Sequence, residues 1–229
     1  VKEYALSLGF NDVGISLPEI KQKDYEALIT YLDRHYHGKM AFLNEKTERR
    51  RNISMLYPEA KSLIMVLASY APAIMSNRSR YKISYYTYSH DYHKVIKSKL
   101  QDLLRFIKNV DSHADGMIFC DTLPIFEKSY AAAAGLGWIG KNSLLINPIY
   151  GSYCVIGGIA LNIELSPDKP IQQKCPENCN KCIDACPTKA LIKPYILDAS
   201  RCVSYLTVEN KEDKMPFENP TSYIAGCDI

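Results

Sequence analysis

Six cysteines are spaced for metal chemistry. Cys175, Cys179, Cys182 and Cys186 fall in one short run, Pro187 follows the last of them, and Cys202 and Cys227 come later. Such a run fits the pattern in which three thiolates hold one [4Fe–4S] cube and the fourth reaches across to a second. The first gap departs from it, Cys-x3-Cys in place of Cys-x2-Cys, which leaves the part played by Cys175 open. Cys202 and Cys227 read as the start of the second ligand set, so the expectation is a two-cluster protein trimmed at its carboxyl end. Zinc is an alternative, although its sites usually draw on separated Cys-x-x-Cys pairs or mixed Cys/His sets, and no His lies between Cys175 and Cys202. A disulfide framework belongs to small secreted chains.

A second group of residues suits acid–base and cofactor chemistry. Asp121 ends an apolar stretch that reads as a strand, Gly116 to Cys120, and precedes Pro124, which is placed to open a helix through the alanines 131–134. A carboxylate there either caps the helix or, with its pKa raised by burial, serves as a proton donor. Gly135-Leu136-Gly137-Trp138-Ile139-Gly140-Lys141-Asn142 is rich in glycine, which lets the backbone approach something closely. It follows a helix, whereas a dinucleotide fingerprint follows a strand; contact with another large cofactor and a merely tight turn both stay open. Asp111-Ser112-His113-Ala114-Asp115-Gly116 matches the Asp-x-His-x-x-Gly signature of cobalamin-dependent mutases, but a helix precedes it and a strand follows. That inverted context reads as a polar turn.

These residues need elements to position them. A helix over 2–8, a strand at Val13–Ile15 and an amphipathic helix between Glu19 and Tyr36 open the chain. The basic run Lys46–Arg51 is either a solvated helix end or an anion contact. Ser62 to Tyr70 is continuously apolar, as expected of a strand covered on both faces. Residues 76–92 interleave tyrosines with Arg78, Arg80 and Lys82, a composition that suits stacking on exposed bases and equally an ordinary surface loop. Lys94 to Val110 carries one apolar stripe, Ile96, Leu100, Leu103, Leu104 and Ile107, and predicts a helix. Strands are expected at 144–146 and 153–161. Alternation of strands and helices indicates an α/β layer domain, with a boundary near Pro167 and Pro170 before the cysteine-rich part.

Composition narrows the classes. An apolar fraction of 47% and a charged fraction of 23% over 229 residues support a sizeable core, and a formal charge of +3 argues neither for nor against a polyanion partner. No signal peptide is visible, and the longest apolar run, Leu63 to Met75, is broken and too short to cross a bilayer. A cytoplasmic protein with no membrane partner is expected; the isolated Cys120 and Cys154 then read as buried thiols. The absent initiator Met suggests trimming at the amino end as well.

Asp121-Thr122-Leu123-Pro124, Ala134-Gly135-Leu136-Gly137-Trp138-Ile139-Gly140-Lys141-Asn142, Cys182-Ile183-Asp184-Ala185-Cys186-Pro187-Thr188 and Arg201-Cys202-Val203-Ser204-Tyr205-Leu206-Thr207 together resemble epoxyqueuosine reductases. Asp91-Tyr92-His93-Lys94 and the region from Arg50 to Pro58 resemble the amino-terminal domain of the same family. The resemblance implies an α/β (α+β) fold: a nitroreductase-like cobalamin-binding catalytic domain over 1–166, then an incomplete ferredoxin-like domain over 167–229. It implies cobalamin and two [4Fe–4S] clusters, reducing epoxyqueuosine to queuosine at the wobble position of tRNA, with electrons from an unidentified donor. Asp121 would be the proton donor. Gly137, Trp138, Gly140, Lys141 and Asn142 would lie against the corrin, with Arg50, Thr87 and Tyr88 as further contacts and no protein His below the cobalt. Cys175, Cys179 and Cys182 would hold one cube and Cys186, Cys202 and Cys227 the other, each one ligand short. Two departures stand out: Lys128 replaces a common Arg, and Gly158 stands where the family usually has Glu. A cobalamin carrier or a ferredoxin-like electron-transfer protein is the alternative, and neither needs a proton donor such as Asp121.

Overall fold

The strand Ser62–Ser69 is buried along most of its length because it is sandwiched between two apolar layers. The computed structural model describes residues 1–45, 47–72, 80–212 and 218–229. In it, helices α1 (Lys2–Ser7), α2 (Gln22–Asp33), α3 (Phe42–Glu45), α4 (Thr47–Arg50), α5 (Tyr92–Val110), α6 (Glu127–Ala133) and α7 (Lys181–Ala185) are interspersed with ten strands. These are β1 (Asp12–Ser16), β2 (Ser62–Ser69), β3 (Lys82–Ile83), β4 (Gly116–Phe119), β5 (Trp138–Ile139), β6 (Leu145–Ile146), β7 (Cys154–Leu161), β8 (Leu191–Lys193), β9 (Ile196–Leu197) and β10 (Tyr223–Ala225).

The central sheet runs β1-β2-β7-β4, and each neighbouring pair is antiparallel. Helices therefore layer on the sheet as expected, while the strand directions make the domain α+β. Successive side chains of a strand point to opposite faces, and β2 uses both. Ile64 and Val66 join the core built with Ile96, Leu100, Leu103 and Ile107 of α5. Leu63, Met65 and Leu67 join the opposite core with Tyr130 and Ala131 of α6 and with Ile53. The glycines of β7 let these layers close: a Cβ on Gly158 would lie 2.5 Å from Phe119 Cζ and 2.7 Å from the Ile64 carbonyl oxygen. No side chain fits there, so a Glu at this position is incompatible with this packing.

α5 begins where the Asp91 carboxylate accepts the His93 backbone N–H at 3.0 Å, an N-cap that satisfies one of the free donors of the first turn. The helix around the alanines starts at Glu127, three residues after Pro124, with Phe126 at its N-cap position. This corrects two readings at once: Pro124 does not open the helix, and Asp121 does not cap it. The basic run keeps a helical turn at Thr47–Arg50; Lys46, Arg78 and Met75 lie outside the described residues.

The boundary drawn at 166/167 falls in a stretch without helix or strand between β7 and α7. The residues beyond it dock on the first part at several points. Lys2 Nζ reaches the Asp168 carboxylate at 2.5 and 2.6 Å, and that carboxylate also accepts the Ile15 N–H. The Ala199 N–H donates to the Tyr36 carbonyl at 2.8 Å, and β10 pairs in parallel with β3. No described helix is long and apolar enough to cross a membrane.

Candidate functional site

Asp121 follows β4 with φ of +60°, in the left-handed region that Asp tolerates better than most side chains. The turn projects its carboxylate outward, where Oδ2 accepts the Tyr92 hydroxyl at 2.9 Å and faces His93 Nε2 at 3.0 Å. Tyr92 and His93 stack with ring centroids 4.0 Å apart at the start of α5. The other imidazole nitrogen, Nδ1, stands 2.8 Å from Asp91 Oδ1, so one ring spans two carboxylates. Burial first, then the Asp121 charge, holds the Tyr92 phenol well above its ordinary range, which keeps it a donor to Asp121.

Behind this group, the Asp121 backbone N–H donates to Glu127 Oε1 at 2.6 Å. Burial pushes the Glu127 carboxyl up to about 8, opposing the lowering effect of that N–H and of Lys97 and Arg50, so at neutral pH it is mostly protonated. Arg50 is itself lowered by burial, and its Nε is buried without a partner among the described residues. Arg50, Tyr92, Asp121, Glu127 and Lys128 line one cleft of about 450 Å³, closed on another side by Cys154, Val155 and Ile156 of β7. A donor with unspent capacity, a neutral acid and an exposed carboxylate thus meet in a partly apolar hollow.

The other expected cofactor contacts lie apart from this lining. Lys128 Nζ donates to the Ser143 carbonyl at 2.7 Å and so connects the cleft to the glycine-rich loop. Gly137 and Gly140 are filled in from behind: a Cβ on Gly137 would meet the Ile146 carbonyl oxygen at 2.3 Å, and one on Gly140 the Ile146 side chain at 2.4 Å. Trp138 keeps its Nε1 buried and unpartnered among the described residues, with Lys174 over its ring. Asn142 Oδ1 accepts the Leu144 N–H within the turn, and the Lys141 ammonium is turned to the cysteine-bearing loop. Thr87 and Tyr88 sit on a one-turn helix whose hydroxyl and ring interact locally, with Ser84 and Tyr85. That turn reaches Asp121 through Tyr86, whose ring packs edge-on against Tyr92. His113 is exposed in the turn between α5 and β4, as its context indicated.

None of the eight cysteines is paired in a disulfide. Cys120 is buried, and burial pushes its thiol up to about 12. Cys175, Cys179, Cys182 and Cys186 flank and occupy the short α7. Cys227 is brought back toward them by the pairing of β10 with β3; burial raises its thiol, and neighbouring Cys202 and Cys186 add to the effect. For Cys186 burial works upward, but the backbone N–H groups of Leu191, Ala190 and Thr188 and the Thr188 hydroxyl outweigh it and hold the thiol below its ordinary value. Among the described residues no three His, Cys, Asp or Glu side chains already stand in metal-holding geometry. Sulfur ringed by backbone donors, with two other thiols nearby, still suits a thiolate-ligated cluster.

Sequence reasoning missed Glu127 and the bridging role of His93. His93 lay in a motif noted for resemblance alone, and Glu127 six residues after Asp121 gave no signal, because only the turn at Asp121 brings the two together.

The chain has relatives among known proteins over its whole length. A family model described as epoxyqueuosine reductase QueG, DUF1730, matches residues 50–122, and one described as a 4Fe-4S double cluster binding domain matches residues 174–229. The chain is 43% identical over 232 residues to the epoxyqueuosine reductase of Leadbetterella byssophila, covering all of this chain and 76% of that protein. It is similar, with a TM-score of 0.88 and 31% identity, to the crystal structure of an epoxyqueuosine reductase with a tRNA-Tyr epoxyqueuosine-modified stem loop. That match covers 99% of this chain and 61% of that one. A reductive dehalogenase structure shares the fold at a TM-score of 0.59 and 14% identity, over 89% of this chain and 28% of its own.

Proposed function

The chain belongs to the epoxyqueuosine reductase family, a family of oxidoreductases, and from that membership we propose that its protein reduces epoxyqueuosine to queuosine at the wobble position of tRNA. Residues 1–166 would form the catalytic domain and 167–229 the iron–sulfur domain, in a cytoplasmic protein whose partners are the tRNA anticodon loop and an electron donor. The observation that carries the reading is Asp121, held on a left-handed turn with its carboxylate exposed to a cleft and tied to a tyrosine and a histidine.

Deoxygenating an epoxide consumes two electrons and two protons and releases water, leaving a carbon–carbon double bond. Cobalamin and two [4Fe–4S] clusters, when bound, supply the reducing power for this. The residues fit such groups: Arg50 Nε and Trp138 Nε1 are buried donors in want of acceptors, and Cys186 is surrounded by N–H groups. Arg50, Gly137, Trp138, Gly140 and Asn142, with Thr87 and Tyr88, are the proposed cobalamin contacts, and Lys141 joins them through its backbone. Cys175, Cys179 and Cys182 are proposed for one cluster, Cys186, Cys202 and Cys227 for the other.

The chain's own part is the proton. Asp121 Oδ2 delivers it to the departing epoxide oxygen, and His93 replaces it, since the imidazole touches Oδ2 on one side and Asp91 on the other. Tyr92 keeps the carboxylate aimed, and Glu127 holds the backbone turn from beneath without adding negative charge at neutral pH. The decisive experiment is the nucleoside composition of tRNA from cells lacking the gene. Accumulated epoxyqueuosine, cleared on restoring the full-length gene, is expected; unaltered queuosine would leave the carrier or electron-transfer reading in its place.

A further inference from the structure

Lys141 lies in the glycine-rich turn, yet its side chain serves the cysteines. It is 8% exposed, and its ammonium donates to the carbonyl oxygens of Pro176 at 2.9 Å, Glu177 at 2.5 Å and Cys179 at 2.9 Å. An ammonium has three protons, and here all three go to one short loop that begins at Cys175. The backbone of the turn is stitched to the same part of the molecule: the Lys141 carbonyl accepts the Tyr195 N–H at 2.9 Å, and Gln173 Nε2 donates to the Ile139 carbonyl at 2.6 Å.

These bonds satisfy the protons and leave the charge. Among the described residues no carboxylate forms an ion pair with Lys141. A buried cation without an opposite charge is costly, whatever its hydrogen bonds. The loop it grips carries the Glu177 carboxylate, which forms no ion pair with Lys141, and the sulfurs of Cys175 and Cys179, which as thiolates would supply the opposite charge. A [4Fe–4S] cube with its thiolate ligands is anionic overall, and nearby charge is one of the factors that set its reduction potential.

We propose that Lys141 is the positioning residue of the cluster held by Cys175, Cys179 and Cys182: its ammonium shapes the ligand loop and supplies the cation that eases reduction of that cluster. The inference rests on the cluster assignment above and is independent of the tRNA reaction. It also joins the turn expected beside the corrin to the loop expected to hold that cluster.

The test uses full-length protein reconstituted without oxygen, as wild type, Lys141→Met and Lys141→Arg, with folding checked by circular dichroism. Iron per chain and the midpoint potential of each cluster, from redox titration followed by electron paramagnetic resonance, are the readouts. Lys141→Met is expected to lose about half its iron or to shift one cluster to a more negative potential while the other stays in place, and Lys141→Arg to restore both. Unchanged iron and potentials in Lys141→Met would overturn the proposal. A wild type without iron would overturn the cluster assignment on which it rests. Should Lys141→Met not fold, Lys141→Arg decides: full iron and a potential no lower than wild type support the proposal, and a downward shift overturns it.

Discussion

The backbone N–H of Asp121 and the carboxyl of Glu127 are joined at 2.6 Å, so the residue proposed to deliver the proton is held from behind by an acid that stays mostly neutral at pH 7. The Asp121 charge adds to the burial that holds the Glu127 carboxyl up, so the acid beneath the turn adds little negative charge beside Asp121 at neutral pH.

Replacing Asp121 by Asn keeps the size and the contacts with Tyr92 while removing the acid. Positioned acid–base groups contribute about 10²- to 10⁴-fold, so turnover of epoxyqueuosine in isolated tRNA should fall at least ~10-fold and toward 100-fold, with cobalamin retained by absorbance spectroscopy. Wild-type turnover in this variant would remove Asp121 from the chemistry.

Glu127 makes stability depend on pH. Its proton is held up to about 8 in the folded protein, against an ordinary value of 4.5 for the unfolded chain. Between those values the folded state binds more protons, so this group's penalty is absent below 4.5, grows as pH rises, and is complete above 8. Glu127→Gln is neutral throughout. Its denaturation midpoint, relative to wild type, should therefore climb from pH 5 to pH 8; parallel profiles would mean that Glu127 is ionised in the fold.

Gly158→Ala tests the packing of the sheet. The added methyl would press on Phe119 and on the Ile64 backbone, and overpacking of this kind costs roughly 1–3 kcal/mol. Urea unfolding should show that loss with an unchanged m-value, whereas a neutral result would mean that β7 and Phe119 yield more easily than the structure indicates.

Cys202→Ser separates the two proposed ligand sets. Full-length wild type prepared without oxygen should hold about eight irons, as two cubes require, and the variant about four. Retention of all eight would exclude Cys202 as a ligand, and zinc in place of iron would refute both assignments.

Much was readable along the chain because its signals are local. The stripe from Ile96 to Ile107 announces α5, the apolar run from Ser62 announces a strand covered on both faces, and the spacing from Cys175 to Cys186 announces thiolate ligation of the iron–sulfur kind, with zinc as the alternative. The direction of the strands was not readable: antiparallel pairing of β7 with both β2 and β4 depends on how connections cross, and side-chain alternation is the same either way.

Residue types and short spacings thus narrowed the chemistry to thiolate metal ligation and a candidate acid, and resemblance supplied the family and the reaction to look for. The tertiary structure decided who meets whom: Glu127 under Asp121, His93 between two carboxylates, Cys227 carried back by β10, and the Lys141 ammonium turned toward the cysteines. Hydrogen bonds and charges act over a few ångströms of space, and separations along the chain do not specify those distances until the layers have closed.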